Sequence, residues 1–241
     1  MPTKKKLTYA DSGVSIDEGD RFADLIQSHM RRTHGPRVVQ RPGGFAGLRL
    51  DFNESLFKRN FQDPVLVACT DGVGTKIVLA RELNKWDTIG IDLVAMNVND
   101  LVVEYAEPLL FLDYIACNKV VLEQLEQIVA GIAEACRTVG ALLGGETAEM
   151  SDLYQPGDID LAGFAVGVVE LKRASDATRV EPADVVIGLA SDGVHPTATR
   201  SSGSSSPRRT STSSASTPNS TRKNHSAKSS SRPPACIRHP S

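Results

Sequence analysis

The sequence predicts an α/β (α+β) fold in which helices pack on a mixed sheet. Three observations carry that expectation. Short apolar runs bounded by turn signals alternate with segments of helical period from Pro64 onward. Strand and helix patterns succeed each other without an internal repeat, which places a sheet beneath a helical layer. Glycine-rich breaks fall between the elements, at Asp71–Lys76 and at Gly144–Thr147.

Residues 1–62 carry many turn signals and little period, so a mobile arm with glycine-rich segments is expected there, holding one or two amphipathic turns at Phe22–Met30. Pro64–Thr70 reads as a buried strand, Asp71–Lys76 as a loop, and Ile77–Leu83 as a helix. Asp87 or Thr88 is placed to cap a second helix running to about Tyr105, with Pro108 as its stop. Leu109–Ala116 follows as a strand. Leu122, Leu125, Ile128, Val129, Ile132, Cys136 and Val139 share helical spacing, and Gly140 ends that helix. Ala141–Leu143 reads as a short strand ending in Gly144-Gly145-Glu146-Thr147, Asp160–Glu170 as another, and Asp184–Ala190 as one more.

The chain has 241 residues, with 27 basic and 29 acidic side chains, 40% apolar and 23% charged residues. Its last 41 residues hold fifteen Ser, seven Lys and Arg and no acid. Residues 1–200 therefore carry 20 basic against 29 acidic groups, a net of −9. An acidic domain lacks the basic surface that a phosphate backbone demands, so no nucleic-acid partner is expected. The tail has no aromatic side chain and no repeating unit to serve as a nucleic-acid platform. Its composition cannot bury enough apolar surface to hold a fold, so 200–241 is expected to be disordered. No apolar stretch approaches a spanning length, Met1–Lys6 is not followed by an apolar core, and the four cysteines form no CxxC pair. A cytoplasmic protein without a membrane partner is expected.

Three segments carry chemistry. Asp71-Gly72-Val73-Gly74-Thr75-Lys76 joins strand to helix; it is either a phosphate-binding loop or a plain tight turn, and it fits neither the Walker A nor the dinucleotide pattern. On the helix Ile89–Tyr105, Asp92, Asn99 and Asp100 fall in one arc with Met96 and Val103, opposite Leu93, Val94, Val98, Leu101 and Val102. That arc reads as a solvated face or as a covered oxygen-rich set suited to Mg²⁺, which Asp71 would join. Gly144–Met150 clusters Glu146, Thr147 and Glu149 after a double glycine. His29, His34, His225 and His239 lie in polar or turn-rich surroundings, where a solvated histidine is the simpler reading.

Taken together, YADSGVSIDEGD (Tyr9–Asp20), RPGGFAGLRLDF (Arg41–Phe52), TDGVGTKIVLA (Thr70–Ala80), DTIGIDLVAMNVNDLVVEYAEPLLFLDYIA (Asp87–Ala116), GGETAEM (Gly144–Met150) and DLAGFAVGVVE (Asp160–Glu170) resemble the phosphoribosylformylglycinamidine cyclo-ligase (AIR synthetase) family. The resemblance covers about residues 7–195. It implies ATP-dependent ring closure of formylglycinamidine ribonucleotide to aminoimidazole ribonucleotide in purine biosynthesis, releasing ADP and phosphate. By the resemblance, Asp71, Asp100 and Asp92 would hold Mg²⁺, while Gly72, Val73, Gly74, Thr75 and Lys76 would face ATP phosphates. Asn99 would orient an oxygen; Lys76, Glu146, Thr147 and Glu149 would lie near the reacting groups. The resemblance also implies a homodimer through sheet packing of residues 63–179, the ATP-binding domain, with a small-molecule ribonucleotide substrate. A second α/β domain would begin at about Pro182, so 180–199 is its remnant. Selenophosphate-type and thiamin-phosphate-type enzymes share the general plan and are the catalytic alternative; a non-catalytic ATP-binding or scaffold protein is the other. The family pattern stops after His195, where His-Pro-Thr-Ala-Thr-Arg-Ser-Ser-Gly is what a one-base deletion in a family-like His-Pro-Asn-Gly-Tyr-Ser-Leu-Val-Arg coding stretch would give. The tail is therefore expected to be out of frame, and the chain without turnover.

Overall fold

The computed structural model describes residues 15–36, 38, 39, 47, 48, 61–191, 193 and 195. The first fourteen residues, most of Arg41–Phe52 and the tail from residue 196 lie outside the described residues, and so do the expectations made for them.

Four helices and a four-stranded sheet account for the body: α1 (Ile16–Arg31), β3 (Pro64–Gly72), α2 (Lys76–Leu83), α3 (Ile89–Val103), β4 (Glu107–Cys117), α4 (Leu122–Val139), β5 (Leu142–Glu149) and β6 (Ile159–Glu170). Two short strands, β1 (Val38–Val39) and β2 (Gly47–Leu48), pair antiparallel on their own. The large sheet runs β3-β6-β4-β5; β6 is antiparallel to both neighbours, and β4 and β5 are parallel, joined through α4. This is the mixed sheet with packed helices that the sequence predicts.

The helices cover one face. Leu93, Val94, Val98 and Leu101 of α3 and Leu125, Ile128, Val129, Ile132 and Cys136 of α4 are buried with Phe111, Ile115, Leu143, Leu161 and Ala165 of the sheet in one cluster. α1 begins at Ser15, whose hydroxyl accepts from Glu18 N–H at 3.3 Å, and packs on α4. The opposite face of the sheet leaves Leu66, Leu112, Tyr114 and Phe164 exposed. Among the described residues no helix is long and apolar enough to cross a membrane.

Several boundaries differ from expectation. Phe22–Met30 belongs to a helix of 16 residues, because its capped first turn and its apolar stripe on α4 extend it. α3 stops at Val103, where Tyr105 takes a left-handed φ of 59° and turns the chain; Pro108 sits inside β4, beside a register shift, and is not the stop. β5 continues through the double glycine to Glu149, so the acids of that segment stand on a strand and not beyond one. Asp184–Ala190 forms no strand. Val185, Val186 and Ile187 are at least 82% exposed, and no described strand lies beside them to take their backbone hydrogen bonds.

Candidate active site

One transverse row of the sheet organises the chemistry. Asp71 on β3 pairs with Gly163 on β6, Gly163 with Asp113 on β4, and Asp113 with Gly145 on β5. Residues in register point to one face, and here it is the helix-covered one. The two glycines leave hollows between the two aspartates and beyond the second. A Cβ at Gly163 would stand 2.4 Å from Asn97 Nδ2, and one at Gly145 would meet Asp113 Oδ1, so each hollow is filled by a polar side chain.

Asn97 of α3 fills the first hollow and is fully buried. Its Nδ2 donates to Asp71 O at 3.2 Å and to Leu93 O at 3.0 Å, while its Oδ1 accepts from Asp71 N–H at 2.9 Å. Cys69 Sγ donates to Asn97 O at 3.1 Å, and Thr70 Oγ1 donates to Gly163 O at 2.8 Å. The Asp71 backbone is thus fastened on both sides to α3. Asp100 lies one turn beyond Asn97 on the same helix, exposed. Its carboxyl is raised above the ordinary carboxylate range by partial burial and then by the charge of Asp71. Both aspartates also help burial raise the Cys69 thiol. Asn97 thus brings the Asp71 backbone to α3, on which Asp100 follows three residues later.

Asp92 is not with them. It is fully buried and ion-paired to Lys76, with Nζ 3.0 Å from Oδ1 and 2.8 Å from Oδ2. Burial raises the Asp92 carboxyl, and the Lys76 hydrogen bond and charge oppose that rise. The arc that placed Asp92 beside Asp100 is covered at its N-terminal end by the start of α2, and α2 supplies the cation. Lys76, expected to face phosphate, is itself only 2% exposed. Among the described residues no three His, Cys, Asp or Glu side chains are grouped to hold a metal ion.

The loop is tightly bonded. Gly72 N–H donates to Asp71 Oδ1 at 2.8 Å and Val73 N–H to Leu161 O at 3.2 Å, and the Val73 side chain is in the core. These two amides serve the loop itself. Gly74, with φ 61°, and Thr75 are exposed and carry the chain into α2. Asn99 is half-buried beside Asp100.

The third segment stands at the other edge of the sheet. Three inter-strand spacings separate β5 from β3, roughly 14 Å, so Glu146, Thr147 and Glu149 are not gathered around Asp71 and Asp100. Glu146 is exposed, on the open face beside Tyr114, and accepts from Thr147 N–H. Glu149 holds structure together: its Oε2 accepts from Ser15 N–H at 3.1 Å and its Oε1 from Val120 N–H at 2.9 Å, tying the head of α1 and the approach to α4 to the end of β5.

Two polar residues escaped the sequence reading. Asn97 is a lone amide among apolar neighbours, four residues after Leu93. Asp113 interrupts the run Leu109–Ala116; burial first, and the charge of Glu146 further, raise its carboxyl to about 7, against a hydrogen bond from its own backbone. A polar residue at a position the period assigns to the core was the available signal in both.

Residues 59–169 match the family described as AIR synthase related protein, N-terminal domain. The chain is 55% identical over 190 residues to a phosphoribosylformylglycinamidine cyclo-ligase of Anaeromyxobacter sp. (strain K), covering 78% of this chain and 54% of that protein. It is 53% identical over 190 residues to the enzyme so named from Magnetococcus marinus, covering 78% and 52%. The chain spans about half the length of the curated relatives it matches. A hydrogenase maturation protein HypE solved in complex with ATP aligns at 17% identity with a TM-score of 0.46, over 73% of this chain and 47% of that one, too distant to bear on function. The match of residues 59–169 and the identity to named cyclo-ligases converge with the ordered motifs, and over those residues the chain is similar to the AIR synthase related N-terminal domain.

Proposed function

We propose that residues 63–179 are the ATP-binding, dimerising part of a phosphoribosylformylglycinamidine cyclo-ligase, in which Asp71 and Asp100 hold Mg²⁺ against the nucleotide phosphates. The observation that carries the reading is the clamp that ties the Asp71 backbone to Asn97, three residues before Asp100 on α3. Two neighbouring carboxylates fit a hard divalent cation that completes its shell with substrate phosphates and water. When bound, that ion neutralises phosphate charge during transfer of the terminal phosphoryl group to the amide oxygen of formylglycinamidine ribonucleotide. The chain's own part is positioning. Asp71 is fixed by its backbone, Asp100 by α3, and Asn99 stands next to Asp100 to orient an oxygen. Gly74 and Thr75 line the exposed turn beside them. Glu146 and Thr147, at the far edge of the sheet, serve the ribonucleotide substrate and not the metal. Lys76 acts through Asp92 as a support for the loop, and Glu149 supports β5.

The homodimer is read onto the open sheet face, where Leu66, Leu112, Tyr114 and Phe164 form an apolar surface. Residues 1–179 should give a dimeric mass by light scattering at tens of micromolar; a strict monomer removes this interface.

The chain supports Mg²⁺-dependent binding of a non-hydrolysable ATP analogue without forming aminoimidazole ribonucleotide. Calorimetric titration should show Asp100→Asn weakening that binding at least about tenfold, about 1.4 kcal/mol, with the effect vanishing when Mg²⁺ is left out. Equal binding by the variant removes Asp100 from the site.

A further inference from the structure

We propose that Asn97 is the positioning residue that sets the separation of Asp71 and Asp100, so that cation affinity at the pair depends on a buried amide that touches neither the metal nor the carboxylates that hold it. The inference rests on the Asp71–Asp100 reading above and adds the device that holds it.

Asn97 makes three side-chain hydrogen bonds, and all go to backbone: Asp71 N–H, Asp71 O and Leu93 O. Two of the three grip one residue from both sides of its Cα. Those bonds leave Asp71 little freedom to shift along or rotate about β3, and they refer its position to α3 and not to the sheet alone. Asp100 rides on that same helix three residues later, so Asn97 links the two carboxylates through a path of one side chain and less than one helical turn. A purely apolar residue in this place would fill the core and leave Asp71 N–H and Asp71 O to find other partners.

Gly163 provides an independent observation. It lies opposite Asp71 on β6, and a Cβ there would stand 2.4 Å from Asn97 Nδ2 and 2.8 Å from Phe111 Cζ. The strand has been left without a side chain where the amide must sit. The Gly163 carbonyl is in turn held by Thr70 Oγ1. Sheet, helix and loop meet at Asn97, beside the half-buried Asp71 and the exposed Asp100.

The test uses the full chain, Mn²⁺ as probe and electron paramagnetic resonance of the bound ion, with a non-hydrolysable ATP analogue at saturation. Asn97→Leu keeps the size and deletes all three bonds. Gly163→Ala leaves Asn97 in place and pushes on it. Leu125→Val, in the core of α4, is the control for general loss of stability. Asn97→Leu should weaken Mn²⁺ binding at least about tenfold and broaden the bound spectrum. Gly163→Ala should act in the same direction by several-fold, and Leu125→Val should bind as the parent does. If Asn97→Leu does not fold, the Gly163→Ala arm decides. Parent-like Mn²⁺ affinity and spectrum in both site variants overturn the inference while leaving Asp71 and Asp100 as ligands. A parent chain that binds Mn²⁺ no better than Asp100→Asn overturns the metal reading itself, and this inference with it.

Discussion

At the β3 edge of the sheet an acidic residue is gripped by its main chain, from a helix that carries a second acid three residues on. At the β5 edge an acidic residue is gripped by its carboxylate. Asp71 has both its N–H and its carbonyl bonded to Asn97, whereas Glu149 has both carboxylate oxygens bonded to the N–H groups of Ser15 and Val120. In sequence the two look alike, an acid near glycines at the end of an apolar run. The partners separate them: the Asp71 carboxylate accepts from the next N–H of its own loop, whereas the Glu149 carboxylate joins distant pieces of the fold.

The comparison is tested hardest at Lys76. If this lysine is a support at the β3 edge, Lys76→Met should cost about 3–5 kcal/mol by leaving Asp92 buried and unpaired. The double variant Lys76→Met/Asp92→Leu should recover most of that loss in urea unfolding. A single variant with parent-like stability would mean that Lys76 does not depend on Asp92, and the phosphate-facing role would return.

At the β5 edge, Glu149→Ala should cost about 2 kcal/mol, since two backbone donors lose their acceptor. Asp71→Asn should change stability by less than about 0.5 kcal/mol, because its backbone bonds are unaffected. Thermal unfolding of both variants side by side reads the difference. Similar losses would erase the distinction between the two edges.

The two edges also differ in pH dependence through Asp113, which lies one strand in from the β5 edge. Its folded carboxyl titrates at about 7, against a reference value of 3.8. The folded state therefore holds the proton over a range where the unfolded chain has lost it. Stability from this group is complete below about pH 4 and is lost as pH rises to about 7. Asp113→Asn should remove that decline, so that the variant is more stable than the parent at pH 8 and matches it near pH 4. A parallel pair of stability curves from pH 4 to 8 would show that Asp113 does not titrate in this way.

Most of the fold was legible because period and turn chemistry are local. Leu122–Val139 was read to the residue, and the segments of β3 and β6 were read to within a few. What was not legible depended on contacts between distant segments. A helical wheel places Asp92 and Asp100 in one arc, but it cannot show that α2 covers one end of the arc and not the other. The strand read at Asp184–Ala190 has the right residues and no described neighbour to pair with. Ala141–Leu143 was cut short because Gly144 and Gly145 look like a turn; inside the sheet Gly145 leaves space for Asp113, whose position follows from the register of β4 against β5. Of the proposed site, Asp71 and Asp100 are singled out by motif and arc. Asn97 was passed over because it lay on the side counted as core, and a core position is where a clamp must be.

The strand order has a consequence for synthesis. β6 lies between β3 and β4 yet is the last strand of the sheet to be made. β4, α4 and β5 follow one another and can assemble as they emerge. β3 waits, since Gly72 pairs with Ala162, 90 residues later. At roughly 5–20 residues per second that is a delay of about 5–20 s, during which two strand edges that will flank β6 have no partner within their own chain. On a crowded polysome, where the same segments of sibling chains are close by, those edges are open to pairing with one another. The body is therefore most exposed to aggregation while it is being translated, and chaperone demand should concentrate before residue 170 has left the ribosome.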